Sequence, residues 1–306
     1  MTTTNLTSDS PKKLWMAALK PPMYSVAVIP IWVGSAIAVF QEPQHFSWTI
    51  FLTFLGSAIA IIAWLNLSND VFDSETGIDK NKAHSVVNLT GNKSLVFWVS
   101  NGCLALGLLG IVAIALQQRD WTILGLILLC CALGYTYQGP PFRLGYLGLG
   151  EIICFVSFGP LAIAAAYYSQ TQTFSSLALV ASAIIGLTTS IILFCSHFHQ
   201  VEDDLAAGKR SPIVRLGTAR GARVLAWSTA SVFALIVLSI ALGIFPQWTA
   251  IALASVPIGR ELVRHIGENH DRPEQVKNCK FIAVKLHFWS GLLFGLGFIL
   301  PVLFQN

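Results

Sequence analysis

Two carboxylate-rich segments of the chain, about 130 residues apart, each follow a strongly apolar stretch. The first acidic segment covers residues 66–79 and the second covers residues 197–204. Together they hold seven of the 15 Asp and Glu residues in the 306-residue chain. Acidic side chains are costly beside lipid, so their concentration next to apolar stretches indicates a function. Grouped carboxylates suit a divalent cation or a cationic ligand.

In the first acidic segment, Asn66, Asp70 and Asp73 stand at positions i, i+4 and i+7, with Asn69 at the neighbouring i+3 position. This spacing places them on one face of a helix. Oxygen ligands on one face suit Mg²⁺, which takes one or two carboxylates and completes its shell with water and phosphate oxygens. Asp79 follows in the next loop. The alternative interpretation is an ordinary solvated helix end.

The second acidic segment has a similar pattern. Gln200 and Asp204 are four residues apart, His197 lies one turn earlier, and Asp203 covers a neighbouring face. Three consecutive acids are usually a solvated helix end, but opposite the first segment they would form a second wall of a metal site. His197 and His199 fall on different helix faces, and carboxylates with amides favour a hard cation over zinc.

Basic residues accompany both segments. Carboxylates, Mg²⁺ and basic loops together are typical of a diphosphate site, because the metal bridges acid and phosphate while the bases neutralise the remaining charge. The alternative is that these residues only set the membrane topology. The basic residues predicted to bind substrate are Lys20, Lys80, Lys82, Lys209 and Arg210.

A third group, Tyr135, Tyr137 and Arg143, surrounds a Gly-Pro-Pro turn after the fourth apolar run. Tyrosines at this position are typical of the aromatic belt at a membrane interface. They also suit a cavity wall, where their ring faces stabilise a developing cation. The sequence leaves both interpretations open.

The composition indicates an all-α polytopic membrane protein. Apolar residues make up 54% of the chain and charged residues 11%, whereas a soluble domain carries about a quarter charged residues. Apolar runs long enough to span a bilayer predict nine transmembrane helices. These runs are 22–40, 47–68, 94–116, 121–138, 148–168, 174–195, 222–243, 246–262 and 282–303.

The basic residues predict the orientation. With nine spans, 18 of the 19 Lys and Arg residues fall on one side and only Arg119 on the other, so the first side is predicted to be cytoplasmic. Both acidic segments lie on that side. The net charge of +4 is spread over several loops and gives no nucleic-acid footprint. We expect a disordered tail at 1–10 and a single membrane domain over 11–306, and no protein partner can be inferred from the sequence.

Predicted helices 2 and 6 both end in an acidic segment and a basic loop, four helices apart. This echo predicts two pseudo-repeated four-helix halves around a central cavity, with the acidic segments facing each other.

The acidic motifs are similar to those of a known family. The pattern Asn-Asp-x-x-Asp in the first segment, and the second segment with its following Gly-Lys and Val-Arg-Leu-Gly, resemble the UbiA superfamily of intramembrane aromatic prenyltransferases over essentially the whole chain. The similarity is greatest to the menaquinone and phylloquinone branch in its cyanobacterial and plastid version. Residues 85–91, 197–201, 211–217 and 273–281 carry that similarity.

The resemblance implies transfer of a phytyl group from its diphosphate to 1,4-dihydroxy-2-naphthoate, or to 2-carboxy-1,4-naphthoquinone, with loss of CO₂ and diphosphate. It implies Mg²⁺ as the cofactor, held by Asp70, Asp73 and Asp204 as catalytic acids with Asn66 and Gln200 in support. Gln200 stands where the family usually has Asp. The implied partners are phytyl diphosphate, a naphthoate acceptor and membrane lipid.

The expected location is a cyanobacterial thylakoid or plasma membrane, because no transit peptide is recognised. Polyprenyl transfer for menaquinone or another quinone is one alternative. A cation-coupled transporter also fits intramembrane acids and repeated halves. A membrane phosphatase or CDP-alcohol-type transferase is a third, although its acids would form one dense motif.

Overall fold

The computed structural model describes residues 15–16, 20–76 and 85–304. The predicted tail at 1–10, together with Asp79, Lys80 and Lys82, lies outside the described residues. Within them the chain is helical and contains no β-strand, so the all-α prediction is confirmed. The longer helices are α1 (Pro21–Gln41), α2 (Trp48–Thr76), α3 (Lys93–Gln118), α4 (Thr122–Gln138), α5 (Gly150–Thr171), α6 (Ser176–Ser196), α7 (Thr218–Ala241), α8 (Val256–Asn269) and α9 (Cys279–Phe304).

Several short elements join these helices. A 3₁₀ segment, Gln247–Ser255, leads into α8. The remaining short helices are Pro43–His45, Val86–Thr90, Val201–Ala206, Pro212–Leu216 and Pro273–Val276.

Among the described residues, seven helices are long and apolar enough to cross a membrane, namely α1, α2, α3, α5, α6, α7 and α9 with its preceding turn. The chain is thus an integral membrane protein. Two of the nine predicted spans fall outside this set. The run at 121–138 forms an apolar helix of only 17 residues, and the run at 246–262 is divided between the 3₁₀ segment and the polar helix α8.

Two large apolar clusters form most of the interior, and a small one lies around Val71 and Val96. One large cluster joins α1, α6, α7, α8 and α9, with contributions from α2 and α5, around residues such as Ile29 and Phe294. The other joins α2, α3, α4 and α5 around Phe54 and Ile123. Helix α1 contributes to both clusters, since Ile31 belongs to the second.

Helix α5 contains one wider turn. Residues Ser157–Leu161 adopt a π-helical turn that includes Pro160. Proline has no backbone N–H and cannot continue the regular hydrogen-bond ladder, which accounts for the irregularity at this point. The turn matters for the site because Ser157 and Phe158 line the cavity described below.

Gly34 allows α1 and α5 to approach closely. A Cβ atom at this position would lie 2.6 Å from Ala166 Cβ and 2.8 Å from the carbonyl oxygen of Ile163. We expect Gly34→Ala to lower the melting temperature of the detergent-solubilised protein, because such overpacking costs about 1–3 kcal/mol. The matched control is Gly125→Ala in α4, where nothing lies within 4 Å of the added atom. Equal melting temperatures for the two variants would contradict this account of the α1–α5 contact.

Candidate active site

A cavity of about 800 Å³ lies between α1, α2, α4, α5, α6 and the start of α9. Its deep part is lined by apolar side chains such as Ile31, Phe54 and Ile127, whereas polar and charged side chains line its mouth. Eleven residues that the sequence assigned to the site line this cavity, so the two acidic segments face the same space. They are Lys20, Asn66, Asn69, Asp70, Asp73, Tyr137, His197, Gln200, Asp203, Asp204 and Lys209.

Helix α2 builds the first wall. It continues to Thr76, past the predicted end near residue 68, so the predicted stripe is part of a regular helix. Asp70 is only 2% exposed. One of its oxygens lies 3.3 Å from Lys20 Nζ, and the other accepts a 2.9 Å hydrogen bond from the backbone N–H of Val86. The carboxylate is thus fixed by the residue that precedes α1 and by the short helix after α2.

Asp73 is held by an amide from another helix. Gln138, the last residue of α4, donates a 2.7 Å hydrogen bond from Nε2 to Asp73 Oδ1. Both residues are buried and line the cavity. Asn66, two turns earlier on α2, has a buried Nδ2 atom that makes no hydrogen bond. The polar face of α2 therefore combines two paired acids with an unpaired amide.

The second wall is not the single continuous helix that its spacing predicts. Helix α6 ends at Ser196, the chain turns through residues 197–200, and the helix Val201–Ala206 follows. This turn brings the His197 ring back to Asp204, with 3.2 Å between His197 Nδ1 and Asp204 Oδ2. Lys209 Nζ lies 3.3 Å from the other oxygen of Asp204, which is completely buried.

His197 connects this wall to α5. Its Nε2 atom lies 3.4 Å from Glu151 Oε1, so the ring stands between two carboxylates. Burial opposes a charge on this ring, but the hydrogen bonds to Asp204 and Glu151 outweigh it and raise the pKa of His197. Burial likewise opposes a charge on Asp204, yet His197 and Lys209 lower the pKa of that carboxyl. Both directions favour a charged pair.

Three predicted binding residues lie away from the cavity wall. Tyr135 is exposed and donates its hydroxyl hydrogen bond to the carbonyl oxygen of Pro140. Arg143 reaches Glu75, with 3.6 Å between Nη2 and Oε2. The Arg210 side chain is exposed on the surface. These positions do not support a substrate contact, whereas Tyr137 does line the cavity.

The structure also adds cavity-lining and supporting residues that the sequence did not single out. Gln138 contacts Asp73, and Glu151 contacts His197. In each pair the two residues are far apart along the chain, so no local spacing pattern indicates the contact. Lys277, Asn278 and Lys280 line the mouth, within the 273–281 stretch that was noted only for its similarity.

The donor set fits Mg²⁺. Within residues 15–16, 20–76 and 85–304, no group of three or more His, Cys, Asp and Glu side chains is placed to hold a metal ion. Mg²⁺ needs no such cage, because it is held by one or two carboxylates, water and substrate phosphates. The oxygens that can supply its protein ligands belong to Asn66, Asp70, Asp73, Gln200 and Asp204, all on the cavity wall.

The contacts of His197 with Asp204 and Glu151 predict that the stability of the protein depends on pH. The pKa of this histidine in the folded protein is raised above the ordinary value of 6.5, so the stabilisation it provides is complete below that pH and is lost as the pH rises through the raised value. We expect the melting temperature in detergent to fall as the pH increases above neutrality, and His197→Gln to reduce that fall. His45→Gln, at an exposed histidine paired with Glu42, is the control. The same pH dependence in wild type and His197→Gln would rule out this contribution.

Comparison with known proteins agrees with this arrangement. Residues 27–299 match the UbiA prenyltransferase family. The chain is 60% identical over 292 residues to the 2-carboxy-1,4-naphthoquinone phytyltransferase of Synechocystis, covering 95% of each protein. It is 41% identical over 298 residues to the chloroplastic 2-carboxy-1,4-naphthoquinone phytyltransferase of Arabidopsis thaliana, covering 94% of this chain and 77% of the plant protein.

A solved structure has the same fold. The UbiA homologue from Archaeoglobus fulgidus, determined with GPP and Mg²⁺ bound, superimposes with a TM-score of 0.57 at 15% identity and covers 92% of this chain and 99% of that one. With the family match extending over nearly all of the helices, the chain belongs to the UbiA prenyltransferase family.

Proposed function

We propose that the protein transfers a phytyl group from phytyl diphosphate to 1,4-dihydroxy-2-naphthoate, or to its 2-carboxy-1,4-naphthoquinone form, and thereby makes the demethylated precursor of phylloquinone. The observation that carries the proposal is the single cavity that both acidic segments line at one end and apolar side chains line at the other. The 60% identity to the Synechocystis phytyltransferase supports this choice of donor and acceptor.

The polar end is suited to the diphosphate. Lys20 lies 3.3 Å from Asp70 on the first wall, and Lys209 lies 3.3 Å from Asp204 on the second. Both ammonium groups are therefore placed to form ion pairs with the phosphate oxygens. Asn66, Asp70, Asp73, Gln200 and Asp204 would hold Mg²⁺. When bound, Mg²⁺ neutralises the diphosphate and makes it a better leaving group.

The rest of the reaction follows from the chemistry of the two substrates. The bond between the allylic carbon and the diphosphate oxygen breaks, and its electron pair leaves with the diphosphate. The electron-rich ring of the dihydroxy acceptor attacks the allylic cation and forms a carbon–carbon bond. Loss of the carboxylate as CO₂ returns the electron pair that restores aromaticity. The apolar cavity shields the cation from water, and the Tyr137 ring on its wall can stabilise it.

The proposal extends to the membrane arrangement. We place the active site on the cytoplasmic face of a nine-span domain over residues 11–306, in which α4 is the fourth crossing and the segment through α8 is the eighth. The two four-helix halves are supported by the acidic segments, which enter one cavity from α2 and from the end of α6. Similarity to the Synechocystis protein favours a cyanobacterial thylakoid or plasma membrane.

The other function classes fit the site less well. A cation-coupled transporter would carry its acids near the middle of the spans, whereas Asp70, Asp73 and Asp204 lie at one end of their helices or beyond it. A phosphatase or CDP-alcohol-type transferase would carry one dense acidic motif.

Asp70 and Asp204 provide the direct test. We expect Asp70→Ala and Asp204→Ala each to reduce phytyl transfer in isolated membranes by about a hundredfold or more, because each removes a carboxylate that would hold Mg²⁺ on the diphosphate. The assay uses labelled phytyl diphosphate, 1,4-dihydroxy-2-naphthoate and Mg²⁺, and a chelator should abolish the wild-type activity. Glu202→Ala is the control, since Glu202 is exposed on the same short helix as Asp204 and does not line the cavity. Near-normal transfer by Asp70→Ala would contradict the assignment of this cavity as the phytyl-transfer site.

The depth of the cavity favours phytyl over an octaprenyl donor. The lining stripe of α2 runs from Asp70 down to Phe54, and the sixteen residue steps between them correspond to about 24 Å of helix. At about 1.2 Å per bond of an extended chain, the roughly 16 main-chain carbons of phytyl span about 19 Å and an octaprenyl chain about twice that. Phe54 is 1% exposed and packs with Ile111, Ile123 and Ile127, so it closes the floor.

Shortening the floor residue should therefore change donor preference. We expect Phe54→Ala to raise kcat/KM for a donor one isoprene unit longer than phytyl diphosphate by about tenfold relative to phytyl diphosphate, because the clash at the floor is removed. Phe51→Ala is the control, since Phe51 lies one turn away on α2 and does not line the cavity. If the ratio of kcat/KM for the two donors is unchanged in Phe54→Ala, the floor of the cavity does not determine the length of the donor chain.

A further inference from the structure

The stretch 273–281 lies at the mouth of the cavity, and the diphosphate chemistry leaves it without a role. Two of its residues, Val276 and Cys279, are completely buried and anchor it. The Cys279 thiol donates to the carbonyl oxygen of Cys195 at 3.1 Å, two residues before His197. His265 on α8 also lies 3.1 Å from the carbonyl oxygen of Gln275. The stretch is therefore held rigidly beside the second acidic wall.

The residues between and after the anchors are directed to the cavity. Lys277, Asn278, Lys280 and Phe281 all line it. The Phe281 ring is 42% exposed, and Lys280 Nζ lies 5.4 Å from its centre. This part of the mouth thus carries an accessible aromatic ring, two lysines and an amide, with the exposed carboxylate of Glu274 beside them.

The charge balance distinguishes this group from the diphosphate end. Lys20 and Lys209 are each paired with a buried carboxylate of the acidic walls. Lys277 instead lies 3.9 Å from Glu274, and both side chains are largely exposed, so that contact contributes little. Lys277 can accordingly exchange this partner for an anionic ligand at the mouth.

We propose that Lys277, Asn278 and Phe281 form the acceptor subsite, which takes a planar aromatic carboxylate. The proposal rests on the proposed function and assigns its second substrate to a place. Phe281 packs against the face of the naphthalene ring. Lys277 binds the carboxylate, assisted by its charge. Asn278 is positioned to hydrogen-bond a ring oxygen. The donor chain fills the deep apolar part, so the acceptor approaches its reactive end from the mouth.

Steady-state kinetics of Lys277→Gln test the subsite. We expect KM for 1,4-dihydroxy-2-naphthoate to rise about tenfold, as for loss of one hydrogen bond to a charged group, with KM for phytyl diphosphate unchanged. The inhibition constant of 1-hydroxy-2-naphthoate should rise by the same factor, and that of 1-naphthol, which has no carboxylate, should stay constant. Lys277→Arg should restore most of the affinity. Phe281→Leu should weaken both inhibitors, because both carry the ring.

Lys285→Gln is the matched control. Lys285 lies two turns further along α9, pairs with Glu261 at 3.9 Å and does not line the cavity. An unchanged acceptor KM in Lys277→Gln, with normal wild-type transfer, overturns the subsite alone. A rise in the phytyl diphosphate KM also overturns it, since Lys277 would then belong to the donor site. A wild-type protein that transfers no phytyl overturns the proposed function and the subsite together.

Discussion

Asp70 is almost completely buried, and its two oxygens are held by Lys20, which immediately precedes α1, and by the backbone N–H of Val86. A buried carboxylate without such partners would cost several kcal/mol, and removal of one partner leaves an uncompensated charge. The need to pair each acid therefore determines which elements meet at the mouth of the cavity. Asp73 is hydrogen-bonded to Gln138 at the end of α4. Asp204 is linked to α5 through His197, which also contacts Glu151.

The two walls meet this requirement in different ways. On the first wall the acids stay on a regular helix, and their partners come from other parts of the chain. On the second wall the helix stops at Ser196, and the turn that follows folds His197 back onto Asp204. The second wall thus supplies its own cations, His197 and Lys209, within a few residues of its acid. A single carboxylate with two local cations needs a partner wall to hold a divalent metal, and α2 provides one.

The sequence predicted the part of the site that depends on local spacing. Asn66, Asp70 and Asp73 share a helix face because of their separation, and the structure places them on one cavity wall. Gln138 and Glu151 could not be found in this way, because their partners are 65 and 46 residues away along the chain and are brought near only by helix packing. The two tyrosines could have been separated beforehand. Residues two apart on a helix point about 200° apart, so Tyr135 and Tyr137 cannot both face one cavity.

The same reasoning explains where the fold prediction was limited. Apolar runs located the helices, but length and polarity decide which of them can cross a membrane: α4 is apolar but has only 17 residues, whereas α8 has 14 residues and carries several charged side chains. The break after Ser196 occurs without proline or glycine, so nothing in the local sequence marks it. It follows from the buried contacts of His197 with acids on two sides. These contacts of His197 help to hold the two acidic walls opposite each other at the end of the apolar cavity. They stabilise the folded chain more than the interruption of one helix destabilises it.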